Sequence, residues 1–191
     1  MHEIVKNLES VKHKINEKVK LSQETTKQPT IIAVSKTFSR DQISPLIEAG
    51  HIHFGENKVQ EAEKKWDKIL INKYGLKLHM VGGLQSNKAK KAVEIFDYIH
   101  SLDNLRLAKK LHLAEQELNK NLKYFVQVNL GNEAQKSGVP KNDLENFIET
   151  LRRDFKLNII GLMCLPPQNE KSEIYFKELK EFSVKHNFEH L

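Results

Sequence analysis

Apolar residues recur along this chain with two periods, one helical and one strand-like. Ile4, Leu8, Val11, Ile15 and Val19 fall at three- and four-residue steps, one apolar stripe on an amphipathic helix from Met1 to about Leu21. A polar loop with one proline, Ser22 to Thr30, leads to Ile31-Ile32-Ala33-Val34. Four apolar, mostly β-branched residues in a row predict a strand buried on both faces, as in a parallel sheet. A helix follows from Asp41 to Ala49. The unit then repeats. Strands are predicted at His51–Asn57, Leu78–Gly82, Tyr98–Leu102, Tyr124–Leu130 and Asn158–Leu165. The helices between and after them run from Lys58 to about Asn72, Asn87 to Phe96, Asp103 to Leu118, Pro140 to Arg153 and Ser172 to Lys185. Asp103 is read as a helix cap and Pro140 as a helix opener.

Strands alternating with helices through short loops predict βαβ units on a parallel sheet, an α/β fold. An open doubly wound sheet usually carries a glycine-rich phosphate turn after its first strand. Here that turn is Lys36-Thr37-Phe38-Ser39, without glycine. Polar residues instead gather at the strand ends, at Lys36, Asn57, Gln85 to Asn87 and Asn129. Sites assembled from many strand ends belong to (β/α) barrels. The expectation is therefore a TIM-type barrel, incomplete at about six of its eight βα units, with an extra N-terminal helix. No linker rich in Gly, Pro or Ser divides it, so residues 1–191 are read as one domain.

Composition narrows the class. The formal charge is +6, but the lysines are scattered, at Lys64 and Lys65, Lys88, Lys90 and Lys91, Lys109 and Lys110. Each group lies on a predicted helix beside acids and reads as a solvated outer face. No basic block interleaved with aromatics points to nucleic acid. The single cysteine, Cys164, excludes an internal disulfide and fits a reducing, cytoplasmic setting. Its neighbours Leu162, Met163 and Leu165 make it a buried filler rather than a nucleophile. No apolar run resembles a membrane span or a signal-peptide core.

Lys36 is the first chemical candidate. A lysine at the C-terminal end of an apolar strand stands where barrel sites form, and an amine beside apolar surface deprotonates easily enough to make a Schiff base. Local pattern alone equally allows a solvated lysine closing a strand.

The order of motifs decides between those readings. Ala33-Val34-Ser35-Lys36-Thr37, Phe54-Gly55-Glu56-Asn57-Lys58-Val59-Gln60-Glu61 and Leu84-Gln85-Ser86-Asn87-Lys88 resemble, in order and spacing, the pyridoxal phosphate homeostasis proteins. His100-Ser101-Leu102-Asp103, Val126-Gln127-Val128-Asn129, Gly161-Leu162-Met163 and the stretch Asn132 to Gly138, with Lys136 and Gly138, extend the match. That family's fold is similar to the N-terminal barrel of alanine racemase. The resemblance implies that Lys36 forms an internal aldimine with pyridoxal 5′-phosphate (PLP), in a carrier or regulator of intracellular PLP rather than an enzyme. It also makes Asn57 and His79 cofactor-pocket residues, the alternative being loop-capping polar groups. Asn87 is read as a helix cap, and Met163 as a core residue that could instead face the cofactor ring. Gly83 stands where the family usually has proline or histidine. The family also continues beyond the equivalent of Leu191 with two strands bearing the phosphate cradle, so weakened binding and self-associating sheet edges are expected. A PLP-dependent racemase or decarboxylase is the alternative function, although no paired acid and base stands out.

Overall fold

The computed structural model describes residues 2–22, 28–131 and 137–191. Lys136 and part of the predicted loop from Ser22 to Thr30 lie outside the described residues. The chain runs α1 (Glu3–Leu21), β1 (Ala33–Val34), α2 (Arg40–Glu48), β2 (His53–Glu56), α3 (Val59–Lys65), α4 (Lys68–Tyr74) and β3 (Lys77–Met80). It continues with α5 (Ala89–Ile95), β4 (Tyr98–Leu102), α6 (Leu105–Leu118), β5 (Lys123–Asn129), β6 (Val139–Pro140), α7 (Leu144–Thr150), β7 (Ile159–Cys164) and α8 (Ser172–Lys185). All strand pairs are parallel, in the order β1-β2-β3-β4-β5, with β6 and β7 both pairing β5. The expected α/β architecture is present as a sheet that does not close on itself among the described residues.

Period-two alternation sorts the sheet into two faces. Phe54, Leu78, Met80, Ile99, Tyr124, Val126, Val128 and Leu162 point to the core shared with helix residues such as Leu46, Val93, Leu111 and Ile148. His53, His79, His100, Phe125 and Gln127 occupy the alternate positions and line the opposite, inner face. Met163, in register with Gln127, joins that inner face rather than the core. Glycines fit where backbones meet. A Cβ on Gly82 would lie 2.5 Å from the Asn57 carbonyl oxygen, and one on Gly161 would lie 2.3 Å from that of His190.

Several sequence expectations are corrected. The opening strand is not buried on both faces: Val34 is 47% exposed, and among the described residues β1 pairs with β2 on one edge alone. The helix predicted over Lys58–Asn72 breaks at Trp66. There the indole turns inward against Phe54, and Arg40 donates two hydrogen bonds to the Lys65 carbonyl, at 2.9 and 3.2 Å. Pro140 closes the short β6, and a 3₁₀ turn separates it from α7, which ends in a π turn over Leu151–Phe155. The cap of α6 is Asn104, one residue after Asp103, accepting the Leu107 N–H at 2.8 Å. Asn87 lies inside a 3₁₀ turn (Ser86–Lys88) and is not the helix cap.

Candidate functional site

Lys36 follows β1 in a tight turn. The Ser35 N–H donates to the Gly55 carbonyl at 2.8 Å, and the Phe38 N–H closes the turn onto the Ser35 carbonyl at 3.2 Å. Lys36 and Thr37 are its two central residues, and Thr37 has φ 68°. Positive φ at the third position is the signature of a type II turn, where glycine or asparagine normally sits. A β-branched threonine there is strained, at a cost of order 1–3 kcal/mol. The Lys36 side chain is exposed.

A buried ionic network grips this turn. Glu56, fully buried at the end of β2, takes three hydrogen bonds on Oε1, from Ser35 Oγ (2.7 Å), Lys65 Nζ (2.9 Å) and Trp66 Nε1 (3.1 Å). Lys65 Nζ also donates to the Ser35 carbonyl at 2.6 Å and reaches Glu61 Oε1 at 3.4 Å. Glu61 Oε1 in turn accepts the Thr37 N–H at 2.5 Å. That N–H holds the Glu61 carboxyl below its ordinary pKa, against a smaller opposing effect of burial. Lys65 therefore corrects the reading of the Lys64–Lys65 pair as a solvated face. The i,i+4 spacing of Glu61 and Lys65 marks their pairing but not the burial of Lys65, which depends on Glu56.

Asn57 directly follows β2, and His79 lies on β3. Val34 is in register with Gly55, and two residues further on Lys36 lies in the turn after β1 while Asn57 lies just past the end of β2. Asn57 is half-buried and, with Met80, Gln85 and Lys88, lines an open groove of about 360 Å³. His79 is level with Gly55, in the body of the inner face rather than at a strand end. Both of its ring nitrogens are engaged. Nε2 lies 2.9 Å from His53 Nδ1, and Nδ1 lies 2.9 Å from His100 Nε2. The row is walled by aromatic stacking, His79 on Tyr98 and His100 on Phe125, each with centroids 4.2 Å apart. Burial, then the neighbouring histidines, lower the His79 pKa to about 2, and burial lowers His100 to about 4. The row is thus neutral at physiological pH. No group of three or more His, Cys, Asp or Glu among the described residues is arranged to hold a metal. Cys164 is buried, and burial raises its thiol to about 11, in keeping with a filler.

The alanine racemase N-terminal domain model matches residues 7–187. Over 185 residues the chain is 31% identical to the pyridoxal phosphate homeostasis protein of Escherichia coli (strain K12), covering 96% of this chain and 79% of that one. This chain belongs to the pyridoxal phosphate homeostasis protein family. The Synechocystis member is 37% identical over 157 residues, 81% of this chain and 72% of its own. Among solved structures, PipY of Synechococcus elongatus without PLP superposes with a TM-score of 0.75 at 36% identity, covering 90% of this chain and 81% of that one. The PLP-bound PipY structure gives 0.73 at 33% identity, with coverages of 90% and 80%. Alanine racemase of Clostridium difficile, at 14% identity, TM-score 0.61 and coverages of 94% and 47%, shares the fold alone. No helix among the described residues is long and apolar enough to cross a membrane.

Proposed function

We propose that this protein binds pyridoxal 5′-phosphate covalently through Lys36 and serves intracellular PLP homeostasis without turning over a substrate. The observation that carries the reading is an exposed primary amine at the corner of a turn gripped on both sides, in a family whose member PipY has been solved with PLP bound. The residues present fit the aldehyde end of that cofactor. Lys36 Nζ would hold the cofactor's aldehyde carbon by condensation with loss of one water, a linkage that would need no oxidant or reductant. Asn57, just past the end of β2 and lining the groove beside Met80 and Gln85, would supply a polar group toward the cofactor. His79, its nitrogens already paired, forms part of the floor below rather than a polar contact. Relatives named for homeostasis rather than for a reaction support the non-enzyme reading.

A single barrel-type domain in the cytoplasm, with a small molecule as partner and neither nucleic acid nor membrane, completes the proposal. Helix lysines that pair with acids support it, as in Lys91 with Glu63 and Lys185 with Glu145. The exposed edge of β1 is the surface on which self-association would act. The test is a PLP titration followed by visible absorbance. A saturable adduct band in the wild type that vanishes in Lys36→Ala is expected; an undiminished band in the variant contradicts the proposal.

A further inference from the structure

We propose that Glu61 and Lys65, braced by Glu56, are positioning residues for Lys36, acting by locking the orientation of the single peptide that joins Lys36 to Thr37. The inference rests on the reading that Lys36 holds the cofactor, and deepens it. Type I and type II turns differ chiefly by a flip of their central peptide. In this turn the central peptide is the one whose N–H belongs to Thr37. Left to local preference, a β-branched residue rejects the positive φ that the type II form demands, so an unassisted turn flips. The Glu61 carboxylate prevents this by capturing the Thr37 N–H. Lys65 holds Glu61 from behind and fixes the near end of the turn through the Ser35 carbonyl, while Glu56 holds Lys65 and the Ser35 hydroxyl. Both peptides flanking Lys36 are thereby fixed, and the Lys36 side chain stays free to react.

The size of the effect follows from the strain. Without Glu61 the turn is divided between two conformers, and the type II form becomes the minor one. Affinity falls by the fraction of molecules still competent, roughly tenfold to hundredfold for strain of this kind. Glycine at position 37 adopts φ 68° without strain, so it removes the need for the clamp.

The full chain is compared as wild type, Glu61→Ala, Glu61→Ala with Thr37→Gly, and Glu63→Ala, an exposed neighbour on α3. Three quantities are read: the PLP affinity from the adduct band, the amide exchange rate of Thr37 without cofactor, and the unfolding midpoint. Glu61→Ala is expected to fold, to exchange the Thr37 amide faster and to bind PLP roughly tenfold to hundredfold more weakly. The double variant regains most of the affinity, and Glu63→Ala matches the wild type. A merely structural role for Glu61 would give no recovery with Thr37→Gly. That result, or Glu61→Ala binding within about twofold of wild type, overturns the inference. If the wild type itself forms no adduct at Lys36, the functional reading fails, and unchanged or faster exchange at Thr37 still decides the clamp.

Discussion

Acidification between pH 7.5 and 5 will destabilise this protein through its histidine row. His79 and His100 are buried at 3% and 8% exposure, and the pKa values of about 2 and about 4 lie well below the ordinary 6.5. A histidine whose folded pKa is depressed binds fewer protons folded than unfolded. Its contribution is therefore complete above the unfolded pKa and is lost as pH falls below about 6.5. For His100 the loss runs from about pH 6.5 down to about 4 and reaches about 2 kcal/mol at pH 5. His79 behaves in the same way over that range, bringing the pair to about 4 kcal/mol. His51 and His53 are also lowered by burial, His53 further by His51, Lys77 and Lys123 and opposed by Asp97, so they add in the same direction. Against a typical total stability of about 5–15 kcal/mol, this is a large fraction. The assay is urea unfolding at pH 7.5, 6.5, 5.5 and 5.0 for wild type and His100→Asn. The variant loses the stack on Phe125 and is weaker at every pH, but its decline between pH 7.5 and 5 should be shallower by about 2 kcal/mol. Parallel declines in the two proteins, or a flat wild-type profile, would refute a neutral buried row.

Two further outcomes follow from packing. Lys65→Met leaves the Glu56 carboxylate buried without its cation and is expected to cost about 3–5 kcal/mol, partly recovered by adding Glu56→Gln, as read by urea unfolding. Gly82→Ala drives a methyl into the Asn57 backbone, and is expected to destabilise by about 1–3 kcal/mol and to weaken PLP binding, as read by thermal unfolding and titration.

The alternation of strands and helices was legible because parallel strands and amphipathic helices impose different periods, and Tyr98–Leu102 was read to the residue. Lys36 was singled out by the apolar run before it and the motif order around it, and the structure places it exposed in the turn that follows β1. The exposure of Val34 was not, because strand composition carries no record of which strand lies at an edge. Lys65 was misread because charge beside charge on a helix suggests solvent, and its burial depends on Glu56, nine residues away on another element. The break at Trp66 was hidden for a similar reason: an indole that turns inward to Glu56 is a tertiary choice, not a propensity. The histidine row left a trace in the sequence, since His53, His79 and His100 each alternate with core residues on three successive strands.

The central claim is covalent capture at Lys36, and borohydride reduction of the PLP-loaded protein followed by peptide mapping tests it most directly. The account predicts a reduced pyridoxyl group on Lys36 as the sole specific modification, lost when Lys36→Ala is treated alike. Label on another lysine with Lys36 unmodified would contradict it.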